Sequence, residues 1–124
     1  MRDFKKLNIW AESISLAKKV YQLSTLLPID EKFGLNTQVK RGVVSIASNI
    51  AEGSSRDSEL EFKRYLEISL GACFELETQL ILMKELNLLS VNNLEASLNQ
   101  VVKLQKMLGS FIKSIKARIK DIHK

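Results

Sequence analysis

Apolar residues recur at intervals of three and four along nearly the whole chain, and the runs of this pattern predict four helices. The first covers about residues 4–26, with Leu7, Trp10, Ile14, Ala17, Tyr21 and Ser24 on one stripe and Pro28 ending it. The second starts between Glu31 and Leu35, near residue 33, and runs to Glu52 with Val39, Val43, Ile46 and Ile50 on one side. Gly53 reads as its stop. The third, over 58–87, opens on Ser58 with Glu61 three residues on, a capping-box spacing before the apolar run Phe62, Leu66, Leu70, Cys73, Leu76, Leu80 and Met83. Tyr65, Ile68, Ala72 and Leu86 lie elsewhere on its wheel, and this second strip predicts a contact beyond its own bundle. Gly71 costs about 1 kcal/mol in a helix interior, which close approach by another helix would explain. The fourth, capped by Ser90, covers about 91–121 with Leu94, Leu98, Val101, Leu108, Ile112, Ile115, Ile119 and Ile122 at near-heptad spacing. Short connections make these one domain over residues 1–124, an all-α, antiparallel up-down-up-down four-helix bundle.

Composition agrees with that reading. Five Gly and one Pro in 124 residues leave little material for the turns of an all-β fold. No apolar run follows the charged MRDFKK opening and no uncharged stretch reaches the roughly 18 residues of a membrane span, so a cytoplasmic protein is expected. The lone Cys73 reads as a small buried apolar residue.

Charge adds a candidate surface. The net charge is +5, yet residues 57–100 carry eight acids against three bases while the rest of the chain is strongly basic. On the fourth helix Lys106, Lys113, Lys116, Lys120 and Lys124 fall within an arc of roughly 80° beside the apolar seam. One reading is a solvated face that also complements the helix dipole. The sharper one is a ridge of phosphate contacts, which gives affinity without base specificity and a steep loss with salt. Trp10 reads as a packing anchor rather than a platform for stacked bases.

The second helix carries an unusual polar face, Arg41, Ser45, Ser48, Asn49 and Glu52, where short hydrogen-bonding side chains replace the customary Lys and Glu. Arg41 and Glu52 are about three turns apart and cannot pair with each other. Each requires a partner on another helix or another chain, and Glu75, set among apolar neighbours, is the first candidate for Arg41. Arg41, Ser45, Asn49, Glu52 and Glu75 are therefore assigned to a polar network inside or between bundles.

Catalytic chemistry is hard to assemble. His123 is the only histidine and stands next to last. No metal-ligand spacing, glycine-rich phosphate loop or nucleophile elbow appears, and the carboxylates Glu52, Glu75 and Glu77 lack the Glu-x-x-His pairs of a di-iron bundle. No cofactor, no metal and no enzymatic activity are expected.

The residues do resemble a family. FKKLNIW at the start, PIDEKFGL between the first two helices, then QVKRGVVSIASNIAEGSSR and EFKRYLEISLGACFELETQL, in that order over about residues 4–82, are similar to the small bacterial proteins encoded within intervening sequences of 23S ribosomal RNA genes. Those in turn are similar to accessory proteins of diversity-generating retroelements. Gly42 and Ala72 depart from the family, which commonly has Ala and Ser there. The resemblance implies a four-helix bundle assembling as a homopentamer and, for the retroelement relatives, a basic surface that binds nucleic acid and a reverse transcriptase partner. The leading expectation is a non-enzymatic, oligomeric nucleic-acid-binding protein, RNA before DNA, using the lysine ridge. The rival is a protein-interaction scaffold or accessory subunit whose charge only keeps it dissolved or docks an acidic protein; an enzyme ranks third.

Overall fold

The computed structural model describes residues 2–31 and 34–122. Among these residues the chain forms four α-helices, α1 (Asn8–Ser24), α2 (Leu35–Ser54), α3 (Glu59–Glu85) and α4 (Val91–Ile122), with short 3-10 turns at Phe4–Lys6 and Ile29–Glu31 and no strand. No helix among them is long and apolar enough to cross a membrane.

The first helix starts four residues later than its periodicity suggests. Asp3 accepts from the backbone N–H of Lys5 and closes a 3-10 turn, after which Leu7 is extended, so α1 begins at Asn8. Its core face also differs. Ile9, Ser13, Leu16, Val20 and Leu23 are buried, whereas Trp10, Ile14 and Ala17 are half-buried and Tyr21 is exposed. The polar Ser13 hid this face from the apolar pattern, whereas Ser24 is buried as its stripe suggests; Ser13 donates to the Trp10 carbonyl at 2.6 Å and Ser24 to that of Tyr21 at 2.7 Å. A hydroxyl satisfied within its own turn can be buried at little cost.

On α2 the stripe Val39, Val43, Ile46 and Ile50 is almost wholly buried. Gly53 does not stop this helix, which continues to Ser54, and no glycine among the described residues has a positive φ. Its role is steric instead. A Cβ at Gly53 would lie 2.6 Å from Cβ of Tyr65 and 3.2 Å from Cδ1 of Phe62, so the missing side chain lets α3 close on α2.

Ser58 caps the start of α3 as its spacing suggests, with the Glu61 N–H donating to the Ser58 hydroxyl at 3.1 Å. At its other end Asn87 takes a left-handed φ of 55°, and the Leu88 N–H reaches back to the Met83 carbonyl at 2.9 Å, closing the last turn. Phe62, Leu66, Cys73, Leu76, Leu80 and Met83 are fully buried. From α4 they meet Leu94, Val101, Leu104, Leu108 and Ile115, while Ile122 at the far end is exposed.

Each helix packs on two neighbours: α2 on α1 and α3, α4 on α3 and α1. Along the α2–α3 seam Gly42 faces Gln79, the Ile46 carbonyl faces Ser69, and Gly53 faces Tyr65, so position rises on one helix as it falls on the other. Ser15–Gln100 and Glu12–Lys103 join α1 to α4 in the same sense.

Candidate nucleic-acid interface

The lysines of the ridge sit on α4 because a near-heptad apolar seam turns one side of that helix to the core and leaves the other to water. Lys106, Lys113, Lys116 and Lys120 are exposed, and none has a carboxylate within ion-pair reach among the described residues. Five other cations are ion-paired, whereas Lys40, Arg41, Arg64 and others among the described residues are not. Lys103 pairs with Glu12, Lys63 with Glu67, Arg56 with Glu52, and both Arg2 and Arg118 with Glu59. Lys124 and His123 lie outside the described residues.

Lys106 also stands at the rim of a cleft of about 640 Å³ between the start of α1 and the middle of α4. Lys6 stands across from it, and Leu7, Ile9, Met107 and Phe111 contribute its apolar wall.

The polar network expected around Arg41 divides into separate parts. Asn49 donates to the Ser45 carbonyl at 2.8 Å and to the Ser45 hydroxyl at 3.1 Å, a link within one turn of α2. Glu52 accepts from Arg56 at 2.8 Å and from the Tyr65 hydroxyl at 3.4 Å. Tyr65 and Glu52 together raise the pKa of the Arg56 guanidinium, overcoming the opposing effect of its burial. Arg41 and Glu75, by contrast, are both exposed, and the pair proposed for them is not formed within the chain. Both point away from the core because the sites that face it on their helices are taken by Val39, Val43, Cys73 and Leu76.

Sequence reasoning missed the clamp at Glu59. Its carboxylate holds Arg2 from the start of the chain and Arg118 from α4, the latter at 2.9 Å. Burial pushes this carboxyl upward, but the hydrogen bonds and charges of the two arginines outweigh it and hold the group below the ordinary carboxylate range. Only the position of Glu59 in the first turn of a capped helix hinted at a role for it. Cys73 is buried and its thiol is pushed up to about 12 by that burial, leaving it without nucleophilic character at neutral pH. Among the described residues no group of three or more His, Cys, Asp or Glu side chains could hold a metal ion.

Of the second apolar strip expected on α3, Ile68 and Leu86 are exposed while Tyr65 and Ala72 are half-buried within the chain, and the outward residues are joined instead by Phe74, Ile81 and Leu82. Ile68, Phe74, Ile81 and Leu82 are each between 43% and 52% exposed, and nothing lies within 4 Å of where a Cβ at Gly71 would be. On the opposite side of α2 from α3, a groove of about 890 Å³ opens between α1 and α2, with Lys40 and Arg41 on its edge and Tyr21 and Val44 in its wall. A smaller hollow, lined by Trp10, Ile14, Ala17, Val44, Ala47 and Ala51 among others, continues along the same crease.

None of the curated proteins matches the sequence. The fold is shared with a crystal structure of a protein of unknown function from the S23 ribosomal protein family of Bacteroides thetaiotaomicron, which is 27% identical and superposes with a TM-score of 0.79 over 85% of this chain and 98% of that one. The description of the family model that fits residues 5–110 is 23S rRNA-intervening sequence protein, and with most of the sequence inside that match the chain belongs to this family.

Proposed function

We propose that this protein is a non-enzymatic, oligomeric RNA-binding protein of the cytoplasm, built from antiparallel up-down-up-down bundles joined in a ring of five. Lys113, Lys116 and Lys120 are its principal phosphate contacts, with Lys106 and Lys124 extending the ridge. The observation that carries this reading is the concentration of exposed lysines without ion pairs, Lys106, Lys113, Lys116 and Lys120, along one side of a single helix. An uncompensated cationic row attracts a polyanion, and repetition of the row around an assembly multiplies weak contacts into useful affinity. RNA is favoured over DNA because the family takes its name from an intervening sequence of 23S rRNA. Similarity to the retroelement accessory proteins, with their nucleic-acid-binding surface, belongs to the same reading.

Fluorescence anisotropy tests it, using a labelled structured RNA and a matched DNA duplex at low and physiological salt. The wild type binds RNA more tightly than DNA with a steep salt slope, and replacing Lys113, Lys116 and Lys120 together by Glu lowers that slope by about three per subunit. Equal RNA affinity for wild type and variant, at equal assembly mass by light scattering, overturns the assignment. A protein partner retained in high salt with no nucleic acid co-purifying favours the scaffold reading instead.

A further inference from the structure

We propose that the crease between α1 and α2 receives the exposed strip of α3 from a second copy of this chain, head to tail, with Arg41 of one copy paired to Glu75 of the next. This rests on the oligomeric part of the reading above and is independent of its nucleic-acid part.

Both surfaces are apolar and neither is covered within the chain. The strip presents Ile68, Phe74, Ile81 and Leu82, large side chains that a lone bundle would leave to water. The crease presents Trp10, Ile14 and Tyr21 from the apolar stripe of α1, none of them fully buried in the core, and Val44 from α2. Their lengths agree. The two hollows share Val44 and run along α2 from Asn36 to Ala51, about 22 Å at 1.5 Å per residue, while Ile68 to Leu82 spans about 21 Å on the same rise.

Close approach is built into both sides. The crease is lined by the small residues Ala17, Ala47 and, at its end, Ala51, and Gly71 lies in the strip about one turn from Ile68. Gly71 lowers helix stability by about 1 kcal/mol and nothing in its own chain needs the missing side chain. With the incoming α3 running opposite in direction to the receiving α2, Gly71 set over Ala47 and Ser48 puts Glu75 about one turn from Arg41.

Charge makes the two surfaces complementary. Lys40 and Arg41 stand at the crease, no acid lines it, and Glu67, Glu75 and Glu85 flank the strip. Arg41 and Glu75 have no ion-pair partner in their own chain among the described residues. Because strip and crease are different surfaces of one molecule, each copy offers one of each, and the contact repeats until it closes into a ring.

The mass in solution tests the docking through a charge exchange, with wild type, Arg41→Glu, Glu75→Arg, the double variant and an equimolar mixture of the two single variants compared by sedimentation. Both residues are exposed, so the variants keep the helical spectrum of the wild type. Each single variant weakens assembly at least tenfold toward the 14.1 kDa chain. The double variant restores it in full, and the mixture restores it in part, because alternating single variants supply each other's lost charge at every contact but one of a five-membered ring. Single variants that assemble as the wild type does, or a double variant that stays dissociated, overturn this docking while leaving the oligomer intact. A wild type that sediments as a 14.1 kDa chain at tens of micromolar overturns the oligomer and the docking together.

Discussion

The hydroxyl of Ser69 on α3 donates to the carbonyl oxygen of Ile46 on α2 at 2.9 Å, out of contact with water. That carbonyl already accepts the helical bond from Ile50, so losing the hydroxyl leaves no orphaned group on α2. Ser69→Ala is therefore expected to cost about 1 kcal/mol, the net worth of one buried hydrogen bond. Thermal unfolding followed by circular dichroism would show a melting temperature lower by a few degrees. Ser69→Val adds a methyl group to a closed seam and is expected to cost more. An unchanged melting temperature for both variants would show that the seam is loose.

Gly53 and Gly109 are both helical, and their environments predict opposite responses to the same substitution. Gly53→Ala drives a methyl group into Tyr65 at 2.6 Å and is expected to destabilise by about 1–3 kcal/mol. Gly109→Ala meets nothing within 4 Å and is expected to stabilise by up to about 1 kcal/mol, through helix propensity alone. Urea midpoints of the two variants should move in opposite directions from the wild type. A shared direction would contradict the steric role assigned to Gly53.

Glu59 ties stability to acid pH. Its folded-state pKa lies below the ordinary 4.5, so the two arginine contacts stabilise the fold fully above that value and lose their effect as pH falls through the lower folded one. Glu59→Gln is thus expected to be less stable than the wild type at pH 7, with the gap closing below about pH 4. Denaturant melts at pH 7, 5 and 3 would test this. A gap constant across the series would mean that packing, and not charge, is what Glu59 contributes.

The elements that were legible in the sequence are those whose signals are local. The spacing of Ser58 and Glu61 placed the start of α3, and the runs from Phe62 to Met83 and from Leu94 to Ile115 named most of the core of α3 and α4. The core face of α1 is shifted from its apolar stripe because Ser13 is polar by composition but satisfied by its own turn. Gly53 read as a stop because a glycine after a helix usually is one, and its contact with Tyr65 is a tertiary fact. The lysine row could be counted from helical period, whereas its lack of ion pairs among the described residues required positions for the carboxylates. Arg41 and Glu75 were recognised as needing partners, but which molecule supplies them is not written in one chain.

The close seating of α2 on α3 also bears on the order of folding. Ser69 and Ile46 are 23 residues apart in sequence, whereas the Gln100–Ser15 bond that joins α4 to α1 spans 85. Short loops close at lower entropic cost, so the α2–α3 hairpin is expected to form in the rate-limiting step and the α1–α4 seam after it. In kinetic terms Ser69→Ala would slow refolding, while Gln100→Ala would chiefly speed unfolding. The reverse pattern in stopped-flow measurements would place the nucleus elsewhere. The glycine that lets two helices touch is, on this account, also a determinant of how fast the chain finds its fold.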